Sequence, residues 1–265
     1  MKKEYEKYIS VENITKAAKG YPKAEPFDHC VVENFFTPEI AQTLAEEFPA
    51  FHDDVWHEYN NPIEIKRVSN NWNTFGPLTY RIFNILNGTD FVEFLGEALG
   101  IGPLYSDSGL NGGGWHIHRA GGKLNTHLDY SIHPKLGLQR KVNIIVYMNP
   151  RFEESWGGTL GLWKSSVDGT KPTDLVKSVW PKFNRAIIFD TTQDSWHGLP
   201  EPVACPETEA RKSLAVYYLV TPPAQVDQRG KALFAPSKGQ ENDQDVLDLI
   251  KKRADVRTAK EVYKG

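Results

Sequence analysis

The sequence predicts a mainly β domain, a sandwich or barrel flanked by helices, and three observations carry that prediction. After Gly102 the chain breaks into short runs rich in β-branched and aromatic residues, LYSDSGL, WHIHR, LNTHLDYSI, KVNIIVYM, TLGLW, RAIIFD and KSLAVYYLV, separated by Gly, Pro and Asn. Ahead of them lie stretches with apolar residues at three- and four-residue spacing, the signature of amphipathic helices. Behind them, from about Asp243 to Tyr263, the chain is charged and helix-compatible, as suits a solvated helix against the barrel.

Taken in order, the first twenty residues are polar, and Pro22 and Pro26 punctuate the entry to FDHCVVENFF, a strand-like run. The ordered core is expected to begin near Phe27. Thr37-Pro38-Glu39 is a helix start, since Thr caps, Pro is pre-set for the first helical position and acid favours the positive helix end. The helix is expected to run to about Phe48, with Ile40, Leu44 and Phe48 on one face. From His52 to Gly76 the chain is rich in Asn, Trp and Pro without a clean period, which reads as a long irregular segment ordered by its aromatics. Two further helices, roughly 77–86 and 90–99, are closed by Gly88 and Gly100.

With 265 residues, 40% hydrophobic and 25% charged, the chain suits one domain with its own core. The expected layout is an N-terminal extension (1–26), a strand and helices (27–101), a β core (102–222) and a helical tail (223–265). A net charge of −3 without basic blocks argues against nucleic acid as a partner. Only Cys30 and Cys205 are present, too few for a disulfide framework, which points to a reducing cytoplasm. No apolar run approaches the roughly 20 residues that cross a bilayer, and the start has no apolar signal core. Oligomeric state is not written in the sequence.

The chemistry begins with THLDY. Strand side chains alternate faces, so His127 and Asp129 point the same way and form a two-ligand half-site. His197, in DSWHGLP directly after the apolar strand AIIFD, offers the third ligand. Two histidines and one carboxylate on one face of an octahedron leave open positions, the arrangement of non-haem Fe(II) oxygenases. Fourteen residues on, Arg211 opens RKSLAVYYL, where Arg211, Ser213, Ala215 and Tyr217 share a face, and its rigid fork suits a carboxylate. Asn143, Ile145 and Tyr147 likewise share a face. His116 and His118 form a second same-face pair without a third ligand, so they read as pocket or core histidines. His29, His52, His57 and His133 read as structural, and the tryptophans as core, with Trp196, beside His197, the one to watch.

The stretches HRAGGKLNTHLDYSIHP, KVNIIVYMNP, SWGGTLGLW, RAIIFDTTQDSWHG and RKSLAVYYL together resemble the 2-oxoglutarate/Fe(II) dioxygenases of the prolyl-4-hydroxylase-like branch. The resemblance implies a double-stranded β-helix, a jelly-roll or cupin-like barrel, with Fe(II) on His127, Asp129 and His197. It implies that Arg211 and Tyr147 hold the distal carboxylate of 2-oxoglutarate, and that Ser213, Asn143, Ile145 and Leu160 line the cosubstrate pocket. Where the branch often has Tyr before the Gly-rich turn, this chain has His118 and Arg119. The implied reaction consumes 2-oxoglutarate and O2 and hydroxylates an unactivated C–H bond of a prolyl residue, a free amino acid or another small polar substrate. A cupin-like metal-binding protein or zinc enzyme on the same barrel is the competing reading, and it has no use for the Arg211 clamp. Substrate contacts are expected from Arg67, Trp72, His118 and Tyr217, with the 52–76 segment as a lid.

Overall fold

The computed structural model describes residues 3–259. In chain order its elements are α1 (Val11–Ala18), β1 (His29–Val32), α2 (Pro38–Glu46), β2 (His57–Asn61), β3 (Glu64–Ser69), α3 (Pro77–Asn87) and α4 (Thr89–Leu99). There follow β4 (Tyr105–Ser106), β5 (Gly114–His118), β6 (Lys123–Leu124), β7 (His127–Leu128), β8 (Gln139–Tyr147), β9 (Leu160–Ser165), β10 (Pro172–Val179), β11 (Ala186–Asp190), β12 (His197–Gly198), β13 (Arg211–Val220), β14 (Leu233–Phe234) and α5 (Gln244–Ala254).

Two antiparallel sheets result. The larger runs β1-β11-β8-β13-β5-β3-β2, with β4 on β13 and β6 on β3, and the smaller runs β10-β9-β12-β7-β14. The period of two divides the large sheet's faces. Val142, Ile144 and Val146 of β8 and Leu214, Val216 and Tyr218 of β13 join the main core with residues of α1 to α4. Their neighbours Asn143, Ile145, Arg211, Ser213 and Tyr217 turn to the other face, where a cavity opens between the sheets. Tyr147, Ile187 and Phe189 of the large sheet pack on Leu160 and Leu162 of the small one, which closes the space beside the cavity.

Four of the five helices, α2 to α5, form where the pattern predicts. Pro38 occupies the first turn of α2 behind Thr37, and Gly100, at φ 67°, ends α4 in the left-handed region that a side chain rarely adopts.

Three expectations need correction. The ordered core does not begin near Phe27, because Tyr5, Ile9, Ile14, Ala18 and Tyr21 are buried in the main core: the polar opening conceals an apolar face of α1, Ile14 and Ala18, and apolar residues on either side of that helix. The segment 52–76 is no irregular lid. Its centre is the β2–β3 hairpin, continuous with the large sheet through β5, and the Asn61 side chain accepts from the amides of Ile63 (3.0 Å) and Glu64 (3.1 Å) to make the turn. The expected helical tail is α5, capped by Asp243, but Val246 and Ile250 are buried against Phe234 and Ile63, so one face is core. The rest of that tail, from 260, lies outside the described residues.

Candidate active site

His127 of β7 and His197 of β12 are direct cross-strand partners, with ring centroids 4.4 Å apart. Asp129 follows β7 immediately. One ligand atom from each of the three lies within 4.8 Å of the others, and all three residues are buried. The strands approach closely enough for this because of Gly198: a Cβ there would come within 2.8 Å of the Thr126 backbone.

Hydrogen bonding fixes the ring orientations. The Nδ1 of His127 meets the Asn125 carbonyl at 3.0 Å and that of His197 the Ser195 carbonyl at 2.8 Å. With Nδ1 donating, each Nε2 turns its lone pair inward, 3.8 and 3.9 Å from the two Asp129 oxygens. Burial, first of all, pushes both imidazoles below the ordinary histidine range, which keeps them neutral. Burial pushes Asp129 up, but the Arg140 charge above all pulls it further down, so it stays a carboxylate. Two neutral imidazoles and a carboxylate are a donor set for a divalent cation. Phe234 stacks on His127 (4.9 Å) and Phe189 meets His197 edge-on (4.8 Å), walling the pair.

Across the cavity, Arg211 is buried at the mouth of β13, opposite His118 in register. Its Nε donates to the Gly158 carbonyl at 2.7 Å, and Gly158, at φ 66°, leaves no room for a side chain beside the arginine, a Cβ there lying 3.1 Å from Arg211 Cδ. The guanidinium lies 5.0 Å from the centre of the Tyr147 ring. No carboxylate pairs with it among the described residues. The lining also holds polar atoms without hydrogen-bond partners there: Asp129 Oδ2, both nitrogens of His118, His116 Nε2 and the Asn143 amide. Buried polar groups of this kind are satisfied by a ligand or by water, and the set suits a metal and a dicarboxylate.

Ser213, Asn143, Ile145, Leu160, His118 and Tyr217 all line the cavity of about 340 Å³, together with the metal-type trio and Arg211. Tyr147 is buried behind Arg211. Arg67 and Trp72 fall elsewhere, which corrects both substrate assignments. Arg67 pairs in register with Ile117 and so faces away from the cavity, onto Phe51 (4.0 Å) and Glu58 (3.3 Å). Trp72 packs on Phe75, Tyr80 and Phe83 and donates to the Ser108 carbonyl. Trp196 is buried in an apolar cluster with Leu128 and Ala235, outside the lining. His57, read as structural, lines the cavity.

The sequence reading missed Arg140, whose guanidinium is sandwiched between Tyr130 (3.6 Å) and Tyr217 (3.4 Å) and stands 3.4 Å from Asp129. It also missed Glu64, Lys66 and Arg253, which line the same cavity, as does Tyr59 of the 52–76 segment. The signal for the hairpin was present. In IEIKRVS the residues Glu64, Lys66 and Val68 alternate with Ile65 and Arg67, but Asn61-Pro62 reads as loop chemistry.

Two antiparallel sheets enclosing a buried His-Asp-His trio are the double-stranded β-helix arrangement that the solved structures below share. Residues 114–219 match the family model of the 2OG-Fe(II) oxygenase superfamily, whose members use Fe(II), 2-oxoglutarate and O2. The chain is related to prolyl hydroxylases. It is 24% identical over 196 residues to mouse prolyl 3-hydroxylase OGFOD1, a match covering 73% of this chain and 33% of that protein, so the chain spans about a third of that relative's length. A Pseudomonas putida prolyl-4-hydroxylase shares the fold at TM-score 0.56 and 14% identity, over 78% of this chain and 98% of that one. A Trichoplax adhaerens prolyl hydroxylase, solved with a peptide fragment of the hypoxia inducible factor oxygen degradation domain, gives TM-score 0.56 and 14% identity over 83% and 94%. Among the described residues no helix is long and apolar enough to cross a membrane.

Proposed function

We propose that the chain hydroxylates an unactivated C–H bond of a small polar substrate, a free amino acid or a prolyl residue, with His127, Asp129 and His197 as the iron ligands. The observation that carries this reading is the buried Arg211 facing the same cavity as the trio. A buried guanidinium without a carboxylate costs several kcal/mol unless a ligand supplies one, and a zinc enzyme or a bare cupin has no use for it. Bound iron supplies the oxidising chemistry, at the expense of 2-oxoglutarate and O2.

The chain's own residues bind, orient and exclude water. Arg211 takes the distal carboxylate of 2-oxoglutarate in its fork, with the Tyr147 ring packed behind it, while Ser213 and Asn143 offer hydrogen bonds along the cosubstrate and Ile145 and Leu160 pack on its chain. His118, neutral and cross-strand from Arg211, adds a polar contact on that wall, and Tyr217 borders the substrate side. A compartment without disulfides, such as the cytoplasm, suits the two free, buried cysteines.

The test is 2-oxoglutarate consumption with matched succinate release by purified protein. The expected result is turnover that needs added Fe(II) and O2 and disappears in Asp129→Ala. Turnover supported equally by zinc without O2 would favour the competing reading.

A further inference from the structure

Beyond Val220 the chain leaves the large sheet and returns to the cavity. Pro222 and Pro223 lack the N–H that a ladder needs, which ends β13, and residues 221–232 form neither helix nor strand before the chain joins the small sheet as its edge strand β14. This strap passes from one sheet to the other beside the metal-type trio. Gly230 and Ala232 line the cavity, and just past them Phe234 pairs in register with His127. Apolar burial does not hold the first part of the strap, since Thr221, Pro223, Ala224, Gln225, Asp227 and Gln228 are exposed. A segment of that kind opens easily unless polar contacts fasten it.

The fastening is at Arg229. Its carbonyl accepts from the amides of Ser131 (2.7 Å) and Ile132 (3.3 Å), and its Nε donates to the carbonyl of Asp129 at 3.1 Å. Asp227 sets the arginine in place: its carboxylate accepts from the Arg229 amide (2.8 Å) and meets Nη1 at 2.8 Å. The position matters because β7 ends at Leu128, and its pairing with β14 ends there too. Asp129 is the one member of the trio outside a strand, so the ladders that hold His127 and His197 in register stop short of it. Arg140 addresses its carboxylate, and Arg229 addresses its backbone.

We propose that Arg229 is a positioning residue that couples closure of the strap to occupation of the trio by its metal. The inference rests on the assignment of the trio as the metal site in the reading above. An Asp129 carboxylate restrained by a metal and an Asp129 carbonyl restrained by Arg229 belong to one residue, so whichever contact forms first has already met part of the ordering cost of the second. Linkage makes the effect mutual: the factor by which the docked strap strengthens metal binding is the factor by which metal strengthens docking. The strap therefore shuts along the cavity when the site is loaded, which is when exclusion of water matters.

The test measures both sides of the coupling on the full chain. Ni(II) is titrated into wild type, Arg229→Gln, Arg229→Lys and Asp227→Asn, and amide hydrogen exchange of 221–232 is followed by mass spectrometry with and without saturating Ni(II), with β8 as the reference for an intact fold. In wild type, exchange in the strap is expected to slow on Ni(II) loading. Arg229→Gln should lose about tenfold or more in Ni(II) affinity, the scale for partners that orient metal ligands, together with the Ni(II)-dependent protection of the strap, while β8 stays protected. Asp227→Asn should fall between the two, and Arg229→Lys should recover part, since it keeps a donor and the charge without the fork. A purely structural arginine would loosen the strap in Arg229→Gln and leave Ni(II) affinity unchanged. That result, or strap exchange in wild type that ignores Ni(II), would overturn the proposal. If Arg229→Gln loses β8 protection, Arg229→Lys and Asp227→Asn decide by the same criteria. Failure of wild type to bind Ni(II), or equal Ni(II) binding by Asp129→Ala, would instead sink the assignment of the trio itself.

Discussion

Arg140 stands 3.4 Å from the carboxylate of Asp129, its planar guanidinium clamped between the rings of Tyr130 and Tyr217. One side chain therefore ties the metal-type trio to two walls of the cavity. Arg140→Met removes the charge that offsets burial at Asp129 and the plate between the tyrosines. Partners that orient metal ligands are worth roughly 10–100-fold in metal affinity, and a loss in that range is expected by metal titration. Arg140→Lys should recover only part, since it lacks the planar fork. Unchanged affinity in Arg140→Met would mean that Asp129 is held by other contacts.

Arg211→Ala is expected to weaken 2-oxoglutarate binding by about 30-fold or more while sparing metal affinity, because removing a buried charged partner from a carboxylate costs about 2–5 kcal/mol. Equilibrium titration of 2-oxoglutarate against metal-loaded protein measures this. Equal affinities for wild type and variant would remove Arg211 from the cosubstrate site.

Arg67→Ala separates the two faces of the hairpin. Its partners, Phe51 and the half-exposed Glu58, lie on the far face from the cavity. The variant should take up 2-oxoglutarate as wild type does, with a stability loss within about 1 kcal/mol, the scale of an exposed ion pair. A large change in cosubstrate uptake would place Arg67 back at the pocket.

Acid stability should report the two histidines of β5, His118 buried and His116 half-buried. Burial first, then the Lys66 and Arg211 charges, push His116 down from 6.5 to about 3, and His118 moves the same way. Between those values the folded chain binds fewer protons than the unfolded one, so stability is lost as pH falls below about 6.5 and the loss deepens towards pH 3. At about 1.4 kcal/mol per pH unit, His116 alone contributes on the order of 3 kcal/mol of loss at pH 4.5. Urea unfolding of metal-free protein at pH 7.5 and 4.5 measures it, and His116→Gln should show a shallower loss. An identical pH slope in the variant would contradict the assignment.

Arg211 and the face shared by Asn143, Ile145 and Tyr147 were legible because a strand's period of two is local and β8 and β13 are long, clean strands, while the trio, on the two-residue β7 and β12 and the residue after β7, was legible from the His-x-Asp spacing and the apolar strand ahead of His197. The four helices were legible for the same reason, through caps and apolar spacing. Lys66 and Glu64 were not, because Asn61-Pro62 looks like a loop and only cross-strand pairing with β5 turns the segment into a wall of the cavity. Arg140 sits beside Asp129 through the turn between β7 and β8, and Arg253 reaches the pocket from a helix that begins over a hundred positions after the trio's first residue. Both are facts of tertiary packing that no local spacing encodes. Reading the hairpin as irregular also put its functional side on Arg67, one residue out of phase, and in a strand one residue is the difference between cavity and outer face.

The central claim is that His127, Asp129 and His197 hold iron while Arg211 holds 2-oxoglutarate beside it. Anaerobic titration of the protein with Fe(II) and then 2-oxoglutarate, followed by visible absorption, tests both halves in one sample. The expected result is the weak charge-transfer band of the chelate at one iron per chain, absent when the three ligands are replaced together and demanding far more 2-oxoglutarate in Arg211→Ala. No band in wild type, or an undiminished band with all three ligands replaced, would contradict the account.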